Sequence, residues 1–177
     1  MIIAILKGQD EKKVFWGYMS FDIGRKDKKM TYKEEIRDLF TVSEDYHLAH
    51  CISGDFAMGR GIAVEFVKRF DMKKKLQTRF PDFIYEMRYG ARMGECILVD
   101  RVLNLVTKER YFQKPTYGSM SQALTAMRDV CRANQIKKVA MPLIGCGLDR
   151  LDFDIVRVLI KETFETSDIE ILVCKQQ

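Results

Sequence analysis

This sequence predicts an α/β domain of three layers, a sheet covered by helices on both faces. Three observations point there. Strand-like segments alternate with segments of helical period, and the strand segments are continuously apolar, as in a sheet buried on both sides. Two glycine loops, "SGDFAMGRG" and "IGCGLDR", each follow a strand candidate and precede a helix candidate. With 177 residues, 47% hydrophobic and 31% charged, the chain can bury one continuous core, and its composition fits neither a disordered nor a membrane protein.

Taken in order, "IIAIL" and "KVFWGYMSF" read as short strands around the turn "KGQDEKK". "KKMTYKEE" is a weaker strand candidate before "IRDLF", and "HLAHCIS" is a buried strand running into the first glycine loop. "IAVEFVKRF" sets Ile62, Phe66 and Phe70 four apart, an amphipathic helix. "GECILVDRVLNLVTK" holds two apolar runs meeting at Asp100-Arg101, as in a hairpin or a bent pair of strands. After "KPTYG", the helix "SMSQALTAMRDVCRANQ" gathers Met120, Ala123, Leu124, Met127, Val130 and Cys131 on one face. Ser119 and Gln122 have capping-box spacing and predict its start. "KKVAMPL" is a strand, "LDFDIVRVLIKETFE" a helix and "IEILVC" the last strand.

Charge and cysteine usage bound the function. No window is long and apolar enough for a membrane span, and "MIIAIL" is too short, with no basic region before it, for a signal peptide. Five cysteines without paired spacing and two histidines predict reduced thiols in a cytosolic compartment, or a nuclear one in a eukaryotic host, with no metal centre. Cys51, Cys131 and Cys174 sit among apolar neighbours and read as core. The net charge of +5 is concentrated in "KRFDMKKKLQTR", either a solvated helix face or a patch for a polyanion such as nucleic acid.

The two loops carry the chemistry. Gly54, Gly59 and Gly61 in one, and Gly145 and Gly147 in the other, let backbone N–H groups approach a ligand. Helix N-termini behind them favour phosphate. In open α/β sheets, ligands bind beyond the carboxyl ends of the strands; if these strands are parallel, both loops lie on one rim and suit a diphosphate. Tight turns alone would also account for the glycines. There is no GxxxxGK[ST] loop, complete GxGxxG fingerprint or GxSxG elbow. Lys108, ending "VLNLVTK", is either a solvated flanking lysine or a partly desolvated amine nucleophile, and Asp149 either a helix-start acid or a catalytic one.

"LAHCISGDFAMGRGIAVEF", "LVTKERYFQKPTY" and "MPLIGCGLDRLDF" together resemble a macrodomain, closest to the terminal ADP-ribose protein glycohydrolase branch, over about Thr31 to Cys174. The resemblance implies a mixed central sheet and an ADP-ribose site without metal or cofactor. It implies that Asp38, with Leu39, meets the adenine amino group. Ser53, Phe56, Met58, Gly59, Gly61 and Ile62 would form the first loop's part of the site, and Thr107 would lie beside the lysine. Pro142, Ile144, Gly145, Cys146, Gly147 and Leu148 would form the second. Lys108 aligns with the catalytic lysine and Asp149 with the catalytic aspartate. The implied reaction removes ADP-ribose from carboxylate-linked acceptors, or hydrolyses O-acyl-ADP-ribose, through a lysyl–ribose adduct. A non-catalytic ADP-ribose reader, a thymidine-directed DNA glycohydrolase of antitoxin type and an ADP-ribose 1″-phosphate phosphatase are the alternatives.

Three departures from that pattern stand out. Arg37 occupies the place of a glycine before the adenine acid, and "SGDFA" replaces a more polar stretch, so Phe56 either covers the distal ribose or packs the loop. Residues 1–29 have no counterpart; they are expected to form an added hairpin on a macrodomain of residues 30–177, with Trp16 in its core. The expected partners are ADP-ribose or ADP-ribosylated protein, alternatively ADP-ribosylated nucleic acid, for a monomer that binds no membrane.

Overall fold

The structure, a computed structural model, describes residues 29–87 and 92–176. The expected N-terminal hairpin and Trp16 lie outside the described residues. Six strands form one sheet: β1 (Thr31–Ile36), β2 (His47–Ser53), β3 (Cys96–Val99), β4 (Val102–Lys108), β5 (Lys138–Met141) and β6 (Glu170–Lys175). Their order is β1-β6-β5-β2-β4-β3. All neighbours pair parallel except β3, which returns antiparallel on β4. The sheet is therefore mixed, as expected. The β3–β4 turn is two residues long because Asp100 adopts φ 54°, with Val99 pairing Val102 across it.

Helices α1 (Ala63–Phe70), α2 (Met72–Arg79) and α3 (Phe83–Met87) cover one face, and α4 (Tyr117–Ala133) and α5 (Phe153–Phe164) the other. Alternation along β4 divides its side chains between two cores. Val102 and Val106 join Phe66, Met72 and Leu76 on the first face. Leu103 and Leu105 join Met120, Leu124 and Ile160 on the second. Fully buried strand residues on both faces explain why β4 reads as an unbroken apolar run. Among the described residues no helix is long and apolar enough to cross a membrane.

One expectation is corrected. Helix α4 begins at Tyr117, not at Ser119 with Gln122. Thr116 is the cap: its hydroxyl accepts from the Ser119 N–H at 3.0 Å, and the Ser119 hydroxyl accepts from the Thr116 N–H at 3.0 Å. Serine at the third helical position thus does what glutamine was expected to do three residues later. The basic run spans two helices, since Asp71 at φ 52° ends α1 and begins α2. Cys131 and Cys174 are buried, while Cys51 is half-buried.

A polar pair crosses the first core. His50, fully buried, stacks on Phe66 with centroids 3.8 Å apart, and its Nε2 lies 2.8 Å from Asn104 Oδ1. Asn104 Nδ2 donates to the carbonyls of Ile97 and Val102, so the amide oxygen faces the ring and Nε2 carries the proton. Burial holds His50 neutral, with its pKa down to about 4. The unfolded chain, titrating near ~6.5, then binds the proton first, so stability falls as pH drops from ~6.5 to ~4, by up to ~3 kcal/mol. Urea midpoints across that window should decline in the wild type and keep their slope in His47→Gln. A flat profile contradicts this assignment.

Candidate active site

The parallel strands place every predicted loop on one rim. In sheet order, that rim carries Asp38 just after β1, then β6, the second glycine loop after β5, the first after β2, and Lys108 at the end of β4. From β1 to β4 is four strand spacings, roughly 19 Å. The β2–β5 ladder covers only His47 and Leu48 against Val139 and Ala140, so the two strands part toward this rim and leave a crevice between the loops.

Asp38 is exposed and extended, and its Oδ1 accepts from the Phe40 N–H at 2.9 Å, capping a 3₁₀ turn (Leu39–Thr41) in which Leu39 is buried. The second carboxylate oxygen is left for another donor. Arg37 has no left-handed backbone, so glycine is not required there. Its guanidinium instead pairs with Glu35 at 3.1 Å.

The first loop is strained. Phe56 and Met58 hold φ 51° and 47° without being glycine, at a cost of order 1–3 kcal/mol each. The Phe56 ring is fully buried and stacks on Phe83 at 5.0 Å, a packing role that turns it away from the rim. Gly54 has no room for a side chain: a Cβ there would fall 2.2 Å from Met87 Cε. Helix α1 starts at Ile62 with no side-chain cap. Among the described residues, the N–H groups of Gly59, Gly61 and Ile62 meet no acceptor, so the helix end offers them to an anion. Ser53, buried, donates to Asp55 at 2.6 Å.

The second loop leaves β5 through half-buried Pro142 and buried Ile144. Gly145, at φ 74°, packs so closely that an added Cβ would sit 2.7 Å from Met120 Cε. Cys146 turns its thiol to the Ile144 carbonyl at 3.2 Å. Beyond it, Gly147 and Leu148 are exposed, and with Asp149 they offer N–H groups that no acceptor takes among the described residues. The loops meet at their tips: a Cβ on Gly61 would lie 3.6 Å from Leu148 Cδ1.

Lys108 and Asp149 converge. Lys108 Nζ donates to Asp149 Oδ1 at 2.6 Å, with the side chains 15% and 14% exposed. Two features aim them. The β2–β4 register slips so that Ile52 faces Val106 but Ser53 faces Lys108, which makes Thr107 a bulge and re-aims the residue after it. Arg150 at φ 60° turns the chain back after Asp149. Asp149 is not the helix-start acid; Asp152 caps α5, accepting from the Asp154 N–H at 2.8 Å. Buried Thr107 sits behind the pair, its carbonyl accepting from Ser119 Oγ at 2.7 Å.

Nearby thiols are poor rivals for the nucleophile. Burial first, then the Asp149 charge, pushes the Cys51 thiol up to about 12. Burial, with Asp152 and Asp149, takes Cys146 up to about 11. Both stay protonated near neutral pH.

Asp55 escaped the sequence reading. It accepts from Ser53 Oγ, from the Ala57 N–H at 3.3 Å and, through its other oxygen, from the Tyr111 N–H at 3.1 Å, tying the first loop to the segment after Lys108. Its serine-x-aspartate spacing was the available signal.

This three-layer arrangement, with peptide nitrogens from two loops and a lysine–aspartate pair on one rim, is that of a macrodomain, and the chain belongs to the macrodomain family. It is 39% identical over 140 residues to human ADP-ribose glycohydrolase OARD1, covering 77% of this chain and 86% of that protein. The macrodomain of Thermus aquaticus DarG superposes with a TM-score of 0.67 at 17% identity, over 82% of this chain and 98% of that one. Thermosipho africanus DarTG in complex with ADP-ribose gives 0.66 at 17%, over 83% of this chain and 42% of that one. No family model matches the chain.

Proposed function

We propose that this chain is an ADP-ribosyl hydrolase that removes ADP-ribose from carboxylate-linked acceptors on proteins and from O-acyl-ADP-ribose. The observation that carries the reading is the Lys108–Asp149 contact at 2.6 Å, at the end of the rim beyond both glycine loops. A binding module needs the loops but not this pair. The relatives named above, a human ADP-ribose glycohydrolase and a DarTG complex holding ADP-ribose, support the ligand class.

In this reading, Asp38 accepts from the adenine amino group and the loop N–H groups take the diphosphate. The distal ribose reaches Lys108. The lysine passes its proton to Asp149 along their hydrogen bond, and the free amine attacks C1″ as the bond from C1″ to the acceptor oxygen breaks. Asp149 gives that proton to the departing acceptor oxygen, so the acceptor leaves as a carboxylic acid that ionises in water, and the Asp149 carboxylate so restored stabilises the positive charge at C1″. Asp149 then helps water add at C1″ while the amine departs and recovers a proton, leaving free ADP-ribose with a hydroxyl at C1″. Incubation with glutamate-linked mono-ADP-ribosyl protein, O-acyl-ADP-ribose and ADP-ribose 1″-phosphate separates the readings. Release is expected from the first two. Tight ADP-ribose binding with no release from any of them contradicts the proposal and leaves a reader.

A further inference from the structure

The turn that carries Asp149 has little beneath its tip. Gly147, Leu148 and Arg150 are exposed, and Arg150 stands at φ 60° without being glycine. Neither burial nor residue type favours that shape, so other restraints must hold it. Two bonds close the turn on itself, from the Arg150 N–H to the Gly147 carbonyl at 3.2 Å and from the Leu151 N–H to the Gly145 carbonyl at 2.9 Å. Its two ends are held from outside.

Both outside holds come from the start of α4, in the "KPTY" run around the Thr116 cap. At one end of the turn, the Lys114 ammonium donates to the Leu148 carbonyl. At the other, the Asp152 N–H donates to the Tyr117 hydroxyl at 3.2 Å. Asp149 lies between these two points. Buried Pro115 stiffens the backbone beside Lys114, because its ring locks one φ and disfavours helical backbone in the residue before it.

Lys114 is unlike most cations of the basic run over residues 68–79. There, Lys68 and Arg69 pair with Glu65, and Lys75 and Arg79 with Asp100, on their own helical surface. The Lys114 charge is directed at a neutral carbonyl, which makes that bond a charge-assisted one. The bond also has a direction. The Leu148–Asp149 peptide is planar and trans, so its N–H points opposite to its carbonyl. Holding the carbonyl keeps the peptide from flipping and fixes where the Asp149 side chain begins.

The same helix start is bolted to the strand of the lysine. Ser119 Oγ donates to the Thr107 carbonyl at 2.7 Å, one residue before Lys108. One short segment therefore grips the supports of both partners, and it spans from behind the 2.6 Å between Lys108 Nζ and Asp149 Oδ1.

We infer that Lys114–Ser119 is a bracket that sets the geometry of the Lys108–Asp149 pair, with Lys114 and Tyr117 as positioning residues for Asp149. Its effect on turnover rests on the proposed hydrolase reading.

The test uses the full chain and the variants Lys114→Met, Lys114→Arg and Tyr117→Phe. Each is measured for kcat and KM on O-acyl-ADP-ribose and for calorimetric ADP-ribose affinity, and Lys114→Met is crystallised. Methionine keeps the length of the lysine and loses the donor. Lys114→Met should lose about 10²-fold in kcat, the scale on which a small misplacement of reacting groups acts. Its ADP-ribose affinity should fall by less than about tenfold, the share of a single N–H. Tyr117→Phe should lose less, again in kcat. Lys114→Arg restores a cationic donor and should recover most of the lost turnover. In the crystal of Lys114→Met, Asp149 should lie beyond hydrogen-bonding reach of Lys108 Nζ. Unchanged kcat in Lys114→Met, an affinity loss as large as that in kcat, or no recovery with arginine overturns the bracket; the second of these makes Lys114 a ligand contact. A wild type inactive on O-acyl-ADP-ribose removes the hydrolase reading. The crystal structure then decides the bracket alone, and a Lys108–Asp149 hydrogen bond kept in Lys114→Met overturns it.

Discussion

Lys108→Ala is expected to lower turnover by roughly 10⁴-fold or more, the scale on which removal of a nucleophile acts. ADP-ribose affinity should change by less than about tenfold, ~1.4 kcal/mol. The split follows from geometry. The loop N–H groups and Asp38 that would hold the ligand belong to other elements, and Lys108 stands beyond them at the end of β4. Alanine removes both amine and charge, so Lys108→Arg is the sharper variant. Arginine keeps a cation beside Asp149 but cannot give up its proton, and so cannot attack C1″. Lys108→Arg should be as inactive as the alanine variant while melting close to the wild type. If it turns over, the role of the lysine is electrostatic. Single-turnover release from O-acyl-ADP-ribose, read beside calorimetric ADP-ribose binding, measures both quantities.

Asp149→Asn should cost about 10²- to 10⁴-fold in kcat, the range for loss of a positioned acid–base group. Asparagine preserves the volume of the side chain and can still accept from Lys108, but it cannot take the proton the amine must lose. If the two side chains act as one unit, the double variant Lys108→Ala, Asp149→Asn will be no slower than Lys108→Ala alone. Additive losses contradict a shared proton path. Asp149 is only 14% exposed and Lys108 15%, so each lies largely out of water beside the other. Asp149→Asn should also lower stability modestly, since part of the lysine's charge is left without its counterion.

The fold was legible because burial leaves a simple pattern: β2, β4, β5 and β6, covered on both faces, keep almost continuous apolar runs. The glycine loops were legible for a similar reason, since a backbone that approaches a ligand or turns left-handed announces itself by residue type, as Gly61 at φ 60° and Gly145 at φ 74° do. The convergence of Lys108 with Asp149 was not legible from spacing. It depends on β5 lying next to β2 and β2 next to β4, an order that arises from long-range pairing, and on a one-residue bulge at Thr107. The resemblance supplied that pairing where periodicity could not. Phe56 shows the opposite limit. A phenylalanine in a loop reads equally as lid or core until Phe83 is seen stacked on it. The partners of the basic run, and the Asp55 hub, were hidden for the same reason.

The account turns on a covalent bond between Lys108 and C1″. Quenching the reaction with borohydride during turnover, digesting the protein and mapping the modification by mass spectrometry looks for that bond directly. The expected result is ADP-ribose attached to Lys108 in the wild type and to no residue in Lys108→Arg. Full turnover with Lys108 never modified, or the adduct found on another side chain, contradicts it.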